Sequence, residues 1–178
     1  MATYNLKNLL AHTDQLAPAD FKRQGNEPYY IKHLPDRELR MYFSVSQYYP
    51  HSAVINGIMV DVSIDAIETI FDEVLRNNPI VGLDPNEKKD TIGGGGANIP
   101  NVDRELLHTQ DVEDDATFAI VKPELEKIVQ GALQFYNDYT TLQAIHDHLE
   151  TLVGRAKGNF LLQPMASRNM ILKKLINA

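Results

Sequence analysis

The sequence predicts an α+β fold, with a small antiparallel sheet in the N-terminal half packed with helices and a helical C-terminal half. From Leu39 to Tyr49, Met41, Phe43 and Val45 alternate with Tyr42, Ser44 and Ser46. A period of two places one face of a strand in a core. After Pro123 the apolar residues recur instead at steps of three and four, through Leu125, Ile128, Val129, Ala132, Leu133 and Tyr136, which is the helical period. Strand-like runs come first and helical runs follow, the order of an α+β chain. At 178 residues the chain suits one domain over 1–178, and a domain of this size buries roughly 70% of its unfolded surface. The 43% hydrophobic content supplies such a core with no need of a disulfide or metal staple.

Taken in order, Leu6, Leu9, Leu10 and Leu16 sit at helical spacing and predict a short opening helix. A polar patch with Gly25, Asn26 and Pro28 ends that region, and Tyr29-Tyr30-Ile31 begins the first strand. Pro35-Asp36 offers a turn into the alternating strand. Ile58, Val60 and Val62 then mark a third strand, with Asn56-Gly57 either a hairpin turn or a bulge inside a longer strand. Ser63 or Asp65 can cap the next helix, running to Asn77 with a buried stripe of Ile67, Ile70, Phe71, Val74 and Leu75, and Pro79 stops it. Residues 78–116 read as a long glycine- and acid-rich loop, as one hiding a short element such as Val102 to His108, or as a linker between two half-domains, against which neither half shows a complete core of its own. Phe118 to Val121 reads as a short strand stopped by Pro123, which then opens a helix. Thr140 with Gln143 suggests a capping box for a helix bearing Leu142, Ile145, Leu149, Leu152 and Val153, ended by Gly158. Pro164 opens a last helix with Ile171, Leu172, Leu175 and Ile176, whose Lys173 and Lys174 complement its dipole. Asp-Arg-Glu-Leu occurs at Asp36 to Leu39 and again at Asp103 to Leu106, but the flanks differ and no repeat follows from it.

Charge is the strongest polarity in the chain. Between Asp61 and Glu150 nineteen Asp/Glu stand against six Lys/Arg, a formal charge of −13, whereas the charged residues of the last twenty-eight positions (Arg155, Lys157, Arg168, Lys173, Lys174) are all basic. Such a field repels phosphate backbones and attracts basic surfaces. Lys22-Arg23 with Tyr29, Tyr30 and Lys32 interleaves basic and aromatic residues, but that patch is too small to carry nucleic acid against the acidic middle. There is no cysteine, which excludes disulfides, thiol nucleophiles and zinc-thiolate sites. Met1 to Asp14 holds no basic region followed by an apolar stretch, so no signal peptide is read there. No apolar run reaches the length of a membrane span, so the expectation is a cytoplasmic protein that binds neither membrane nor nucleic acid.

Reaction chemistry is not legible. Gly93 to Gly96 could let backbone N–H groups approach an anion, but no Gly-Lys-Ser/Thr follows, and Asp84, Glu87 and Asp90 oppose phosphate. Glu105-Leu106-Leu107-His108 is a single Glu-x-x-His, where a di-iron bundle needs two copies with further carboxylates. His146 and Glu150, four apart, could share one metal but do not close a site, and His148 points elsewhere. His12, His33 and His51 are scattered. Asp61, Asp65 and Glu68 lie where a strand gives way to a helix, a place for paired carboxylates in hydrolases, although acids in a first turn also complement the dipole. Asp111, Glu113, Asp114 and Asp115 lack the glycine and final glutamate of a calcium loop. The five serines (Ser44, Ser46, Ser52, Ser63, Ser167) carry no nucleophile motif. Neither a catalytic residue nor a cofactor or metal ligand is assigned.

Phe21-Lys22-Arg23-Gln24-Gly25-Asn26 followed by Tyr29-Tyr30-Ile31 resembles the opening of small bacterial domains of unknown function that continue with a sheet and end in a helical segment. The stretch from Leu133 to Gln143 (Leu-Gln-Phe-Tyr-Asn-Asp-Tyr-Thr-Thr-Leu-Gln) is similar to their C-terminal helical junction. Several such families resemble, or sit with, immunity proteins that bind and block toxins made by the same cell. The glycine-rich stretch has no counterpart in that pattern, and the resemblance brings no functional residue. Together with the acidic middle it implies an intracellular protein-binding module, an immunity-type inhibitor of a basic toxin or another basic protein. Asp111, Glu113, Asp114 and Asp115 are then the expected contact residues. The rival readings are a metal-assisted hydrolase built on Asp61, Asp65, Glu68 or the histidines, and a structural or assembly subunit without catalysis.

Overall fold

The computed structural model describes residues 6–49, 52–87, 89–95 and 99–178. Five strands form an antiparallel sheet in the order β1-β2-β3-β4-β5, and the fold is α+β. The elements run α1 (Leu6–Leu16), β1 (Lys22–Arg23), β2 (Tyr29–His33), β3 (Arg37–Tyr49), β4 (Ser52–Ile64), α2 (Asp65–Asn77), β5 (Ile92–Gly95), α3 (Arg104–Thr109), α4 (Asp115–Asp138), α5 (Leu142–Thr151), α6 (Arg155–Phe160) and α7 (Met165–Ile176). β1 and β2 pair with Lys22 opposite Ile31 and Arg23 opposite Tyr30. Among the described residues no helix is long and apolar enough to cross a membrane.

The residues gather into two compact units. One comprises Met1–Lys32, Arg40–Val60 and Gly95–Gln134; the other comprises His33–Leu39, Asp61–Gly94 and Phe135–Ala178. Neither is a continuous half of the sequence, because the course of β3 and of β4 runs from one set of segments into the other.

In the first unit, α1 buries Leu9, Leu10 and Leu16, and Met41 and Phe43 of β3 are fully buried. Tyr30 of β2 meets Phe43 edge to face with ring centroids 5.6 Å apart, a favoured aromatic geometry. The Tyr30 hydroxyl lies 2.8 Å from both the Asp14 carboxylate, to which it donates, and the Thr13 hydroxyl. Burial, the larger influence, keeps that phenol protonated well above the usual tyrosine range. β4 is buried at nearly every position instead of alternating, the pattern of a strand covered on both faces. Asn56-Gly57 lies inside it, so that pair is not the hairpin turn; residues 50–51 between β3 and β4 fall outside the described set.

The expectation of a strand at Phe118 to Val121 is corrected: these residues belong to α4, which begins eight residues before Pro123. Only Phe118 and Val121, three apart, are buried, and Ile120 is half exposed, which is helical and not strand spacing. The start is fixed by Asp114, whose carboxylate accepts from the Thr117 N–H at 2.8 Å, while the Thr117 hydroxyl accepts from the Glu113 and Asp114 N–H groups. This reciprocal cap satisfies the orphan donors of the first turn and outweighs the proline signal. The stripe then continues through Leu125, Ile128, Val129, Ala132 and Tyr136.

In the second unit, α7 packs against α2 and α5. α2 follows β4 directly, and its N-cap is Ile64 with no side-chain cap bond, so neither Ser63 nor Asp65 caps it. Its buried face is Ile67, Glu68, Phe71 and Leu75, whereas Val74 is 38% exposed. A glutamate thus occupies a place the apolar stripe reserved for hydrophobic residues. α5 is capped by Thr141, which accepts from the Ala144 N–H at 3.1 Å, one residue beyond the expected Thr140. Gly158 does not end α5: it lies inside α6, and the chain turns at Gly154 in the left-handed region (φ 56°) that glycine tolerates. Val153 of the expected α5 stripe is 80% exposed. Pro164 stands at the N-cap of α7.

The stretch 78–116 is not bare loop. Ile92–Gly95 form β5 and Arg104–Thr109 form α3, with Asp103 capping α3 through the Leu106 N–H at 2.9 Å. Val112 bridges antiparallel to Ala53, and Ile92 to Leu161. Gly93 to Gly95 continue as strand, while Gly96 and Ala97 lie outside the described residues.

Candidate functional site

The four acids singled out by the sequence lie together around the start of α4, in the first unit. Asp111 is half-buried and accepts from Ser52 at 3.4 Å. Asp114 is the cap described above, and its bonds from Thr117 hold its carboxyl below the usual carboxylate range. The Asp115 carboxylate is 2.8 Å from the ring nitrogen Nε2 of buried His12, while the Asp115 side chain remains 99% exposed. That histidine stacks flat on Phe118, centroids 4.1 Å apart. Glu113 is exposed and its carboxylate bonds to no other described residue. Three of the four acids therefore have work inside the fold, and Glu113 projects without any.

The most concentrated polar chemistry lies in the second unit, on residues whose connection the sequence hides. Arg168 of α7 and Glu68 of α2 form a buried two-pronged pair: Nε to Oε1 and Nη2 to Oε2, 2.8 Å each, with side chains 2% and 8% exposed. Thr91, fully buried, donates to Glu68 Oε1 at 2.7 Å and accepts from the Ile64 N–H at 2.9 Å. Arg168 Nη1 donates to the Leu162 carbonyl at 3.0 Å and to the Gln163 carbonyl, and its guanidinium sits 4.8 Å from the Phe71 ring centre. Backbone bonds from Thr91 to Val62 and from Leu162 to Thr91 tie the same residues to β4. Every charge here is met by a partner of matching geometry, which is the condition for tolerating buried ions.

Beside this knot opens a hollow of about 240 Å³, lined by Ser63, Asp65, Glu68, Thr69, Asp72, Asn86, Glu87 and Lys89. Lys89 is held by Asp72 at 2.8 Å and by the Glu87 carbonyl at 2.7 Å. Asn86 is fixed by Asp84, which accepts from its N–H at 2.8 Å and its side-chain amide at 3.0 Å. Of the three acids that mark the strand-to-helix junction, Asp65 and Glu68 line this hollow. Both Glu68 oxygens are committed to Arg168. Asp61 lies instead beside Gly93, where an added Cβ would come within 2.7 Å of its carboxylate.

The remaining sequence signals do not converge. Glu105 and His108 are both exposed on α3. His146 Nε2 is 3.9 Å from Glu150 on α5, and Lys173 beside Glu150 holds that carboxyl below its usual range. His148 packs instead among Tyr139 and Phe160, and His33 bonds Glu38 at 2.9 Å. Among the described residues no three His, Asp or Glu side chains come together closely enough to hold a metal ion. Arg23 of the basic-aromatic patch pairs with Asp14 at 3.1 Å, and Lys32 pairs with Asp20.

The sequence reading missed Arg168 and Thr91. The available signal was a lone arginine three residues before Ile171 in the last helix, on the face of its apolar residues. No family model matches this chain, and searches of curated proteins and of solved structures find no match either.

Proposed function

We propose that this chain is a binding module for a basic protein, an immunity-type inhibitor in the sense of the resemblance at residues 21–31 and 133–143, with the acids of 61–150 supplying the attracting charge and Asp111, Glu113, Asp114 and Asp115 as its contact residues. One observation carries the reading: of the nineteen acids in that segment only Glu68 is buried, and the others are exposed or half-buried. A surface charge of this sign accelerates encounter with a cationic partner and covers a cationic active site. Around α4 the projecting group is Glu113, with the Asp115 side chain exposed as well. Asp111 and Asp114 add to the field while holding the local structure.

The test is kinetic. Basic proteins retained by the immobilised chain and released by a salt step are purified, and their association rates are measured at several ionic strengths. The expected outcome is an association rate that falls steeply with salt and falls again in a Glu113→Lys, Asp115→Lys variant. Rates that are the same for both proteins at low salt would sink the proposal.

A further inference from the structure

We propose that the hollow at the start of α2 is a seat for a guanidinium or ammonium head group, an arginine or lysine side chain of the basic partner. The inference rests on the function proposed above and gives that partner a specific point of entry. Ser63 lines the hollow and is 1% exposed, and its hydroxyl has no hydrogen-bond partner among the described residues. A buried polar atom left unpaired costs free energy, and a ligand donor reaching it would remove that cost. The rest of the lining is rich in acceptors. Asp65 and Glu87 are exposed carboxylates that bond to no other described residue through their side chains, and Thr69 and Asn86 add neutral oxygens.

Charge selects the ligand's sign. Among the described residues, four carboxylates line the hollow (Asp65, Glu68, Asp72, Glu87), against Lys89 in the lining and Arg168 behind Glu68, a formal balance of −2. The N-terminus of α2 by itself favours an anion, but Asp65 and Glu68 already stand in its first turn. Geometry selects against a bare metal ion, because the described carboxylates do not converge in threes, whereas calcium asks for six to eight close oxygens. An extended cation with several N–H donors suits acceptors spread around an opening of about 240 Å³.

The experiment is an amide NMR titration of the full chain with Nα-acetyl-arginine amide, using the uncharged citrulline analogue as control. The expected result is a saturable shift at Ser63, Asp65, Thr69 and Asn86 with the arginine probe only, weakened about tenfold in Asp65→Asn, Glu87→Gln. Those two side chains are exposed, so the variant keeps its fold. Ser63→Ala, which removes only the hydroxyl, also weakens binding. Equal shifts from citrulline, or a response to calcium at the same amides that arginine does not displace, overturn the assignment. Shifts confined to Glu113 to Asp115 with a silent hollow also overturn it while leaving the basic-partner reading intact. A responsive hollow together with salt-insensitive association of basic proteins removes that reading and leaves the seat.

Discussion

Replacing Arg168 by methionine keeps much of the apolar stem of the side chain and removes the guanidinium. Glu68 then loses two 2.8 Å charge-assisted bonds and keeps Thr91 alone, on a side chain 8% exposed. Breaking one side of a buried ion pair costs about 3–5 kcal/mol, because the remaining charge is stranded away from water. Two lost bonds to charged groups, at about 1.5–3 kcal/mol each, give the same figure. Against a typical domain stability of about 5–15 kcal/mol, the loss is large enough to move the urea midpoint far while leaving the denaturant slope unchanged. The companion variant Glu68→Leu, Arg168→Met removes both charges. It leaves only the Leu162 and Gln163 carbonyls and the Thr91 hydroxyl short of a partner, at about 1 kcal/mol each. The double variant is therefore expected to be no less stable than either single one, with a coupling energy of about 3 kcal/mol or more in the cycle. Urea unfolding followed by far-ultraviolet circular dichroism measures all four proteins. A single-variant loss under about 1 kcal/mol, or a double-variant loss equal to the sum of the singles, would refute the keystone role of this pair.

Tyr30→Phe removes a buried hydroxyl that bonds Asp14 and Thr13 and should cost about 1 kcal/mol, read from the same urea curves. Because burial raises the folded-state pKa of this phenol, its stabilisation is complete below the unfolded value of about 10 and is lost as pH rises beyond it. Ultraviolet titration of the native protein should accordingly leave one more tyrosine un-ionised in wild type than in Tyr30→Phe. Gly94→Ala would put a Cβ 2.6 Å from the Phe135 ring and should destabilise by about 1–3 kcal/mol, with partial recovery when Phe135 is shortened to leucine; a neutral thermal melt would count against that packing. Asp114→Ala should fray the first turn of α4, seen as faster amide exchange at Ala116 and Thr117. The folded-state pKa of Asp114 is lowered by its bonds from Thr117, so the difference between wild type and variant should be present above the ordinary aspartate pKa and vanish as pH falls through the lowered value.

The sequence by itself determined the fold class and most element positions, because local period and local caps are short-range properties. The alternation around Met41 and Phe43, the stripe around Ile128 and the turn chemistry at Pro35-Asp36 each act within a few residues. Its misplacements came where two local signals competed. Pro123 argued for a new helix start, but the Asp114–Thr117 cap had already begun one upstream. Gly158 argued for a stop, but the turn fell at Gly154. Glu68 read as one surface acid among many, and Arg168 as one more base in a basic tail. Only tertiary structure decided that they pair a hundred positions apart, since a buried ion is tolerated only where its counter-charge arrives in bidentate register. The unpaired Ser63 hydroxyl is decided at the same level. A serine in a strand carries no mark of whether a partner will reach it, and hydrogen-bond satisfaction becomes defined only once β4, α2 and the residues around Asn86 are packed together.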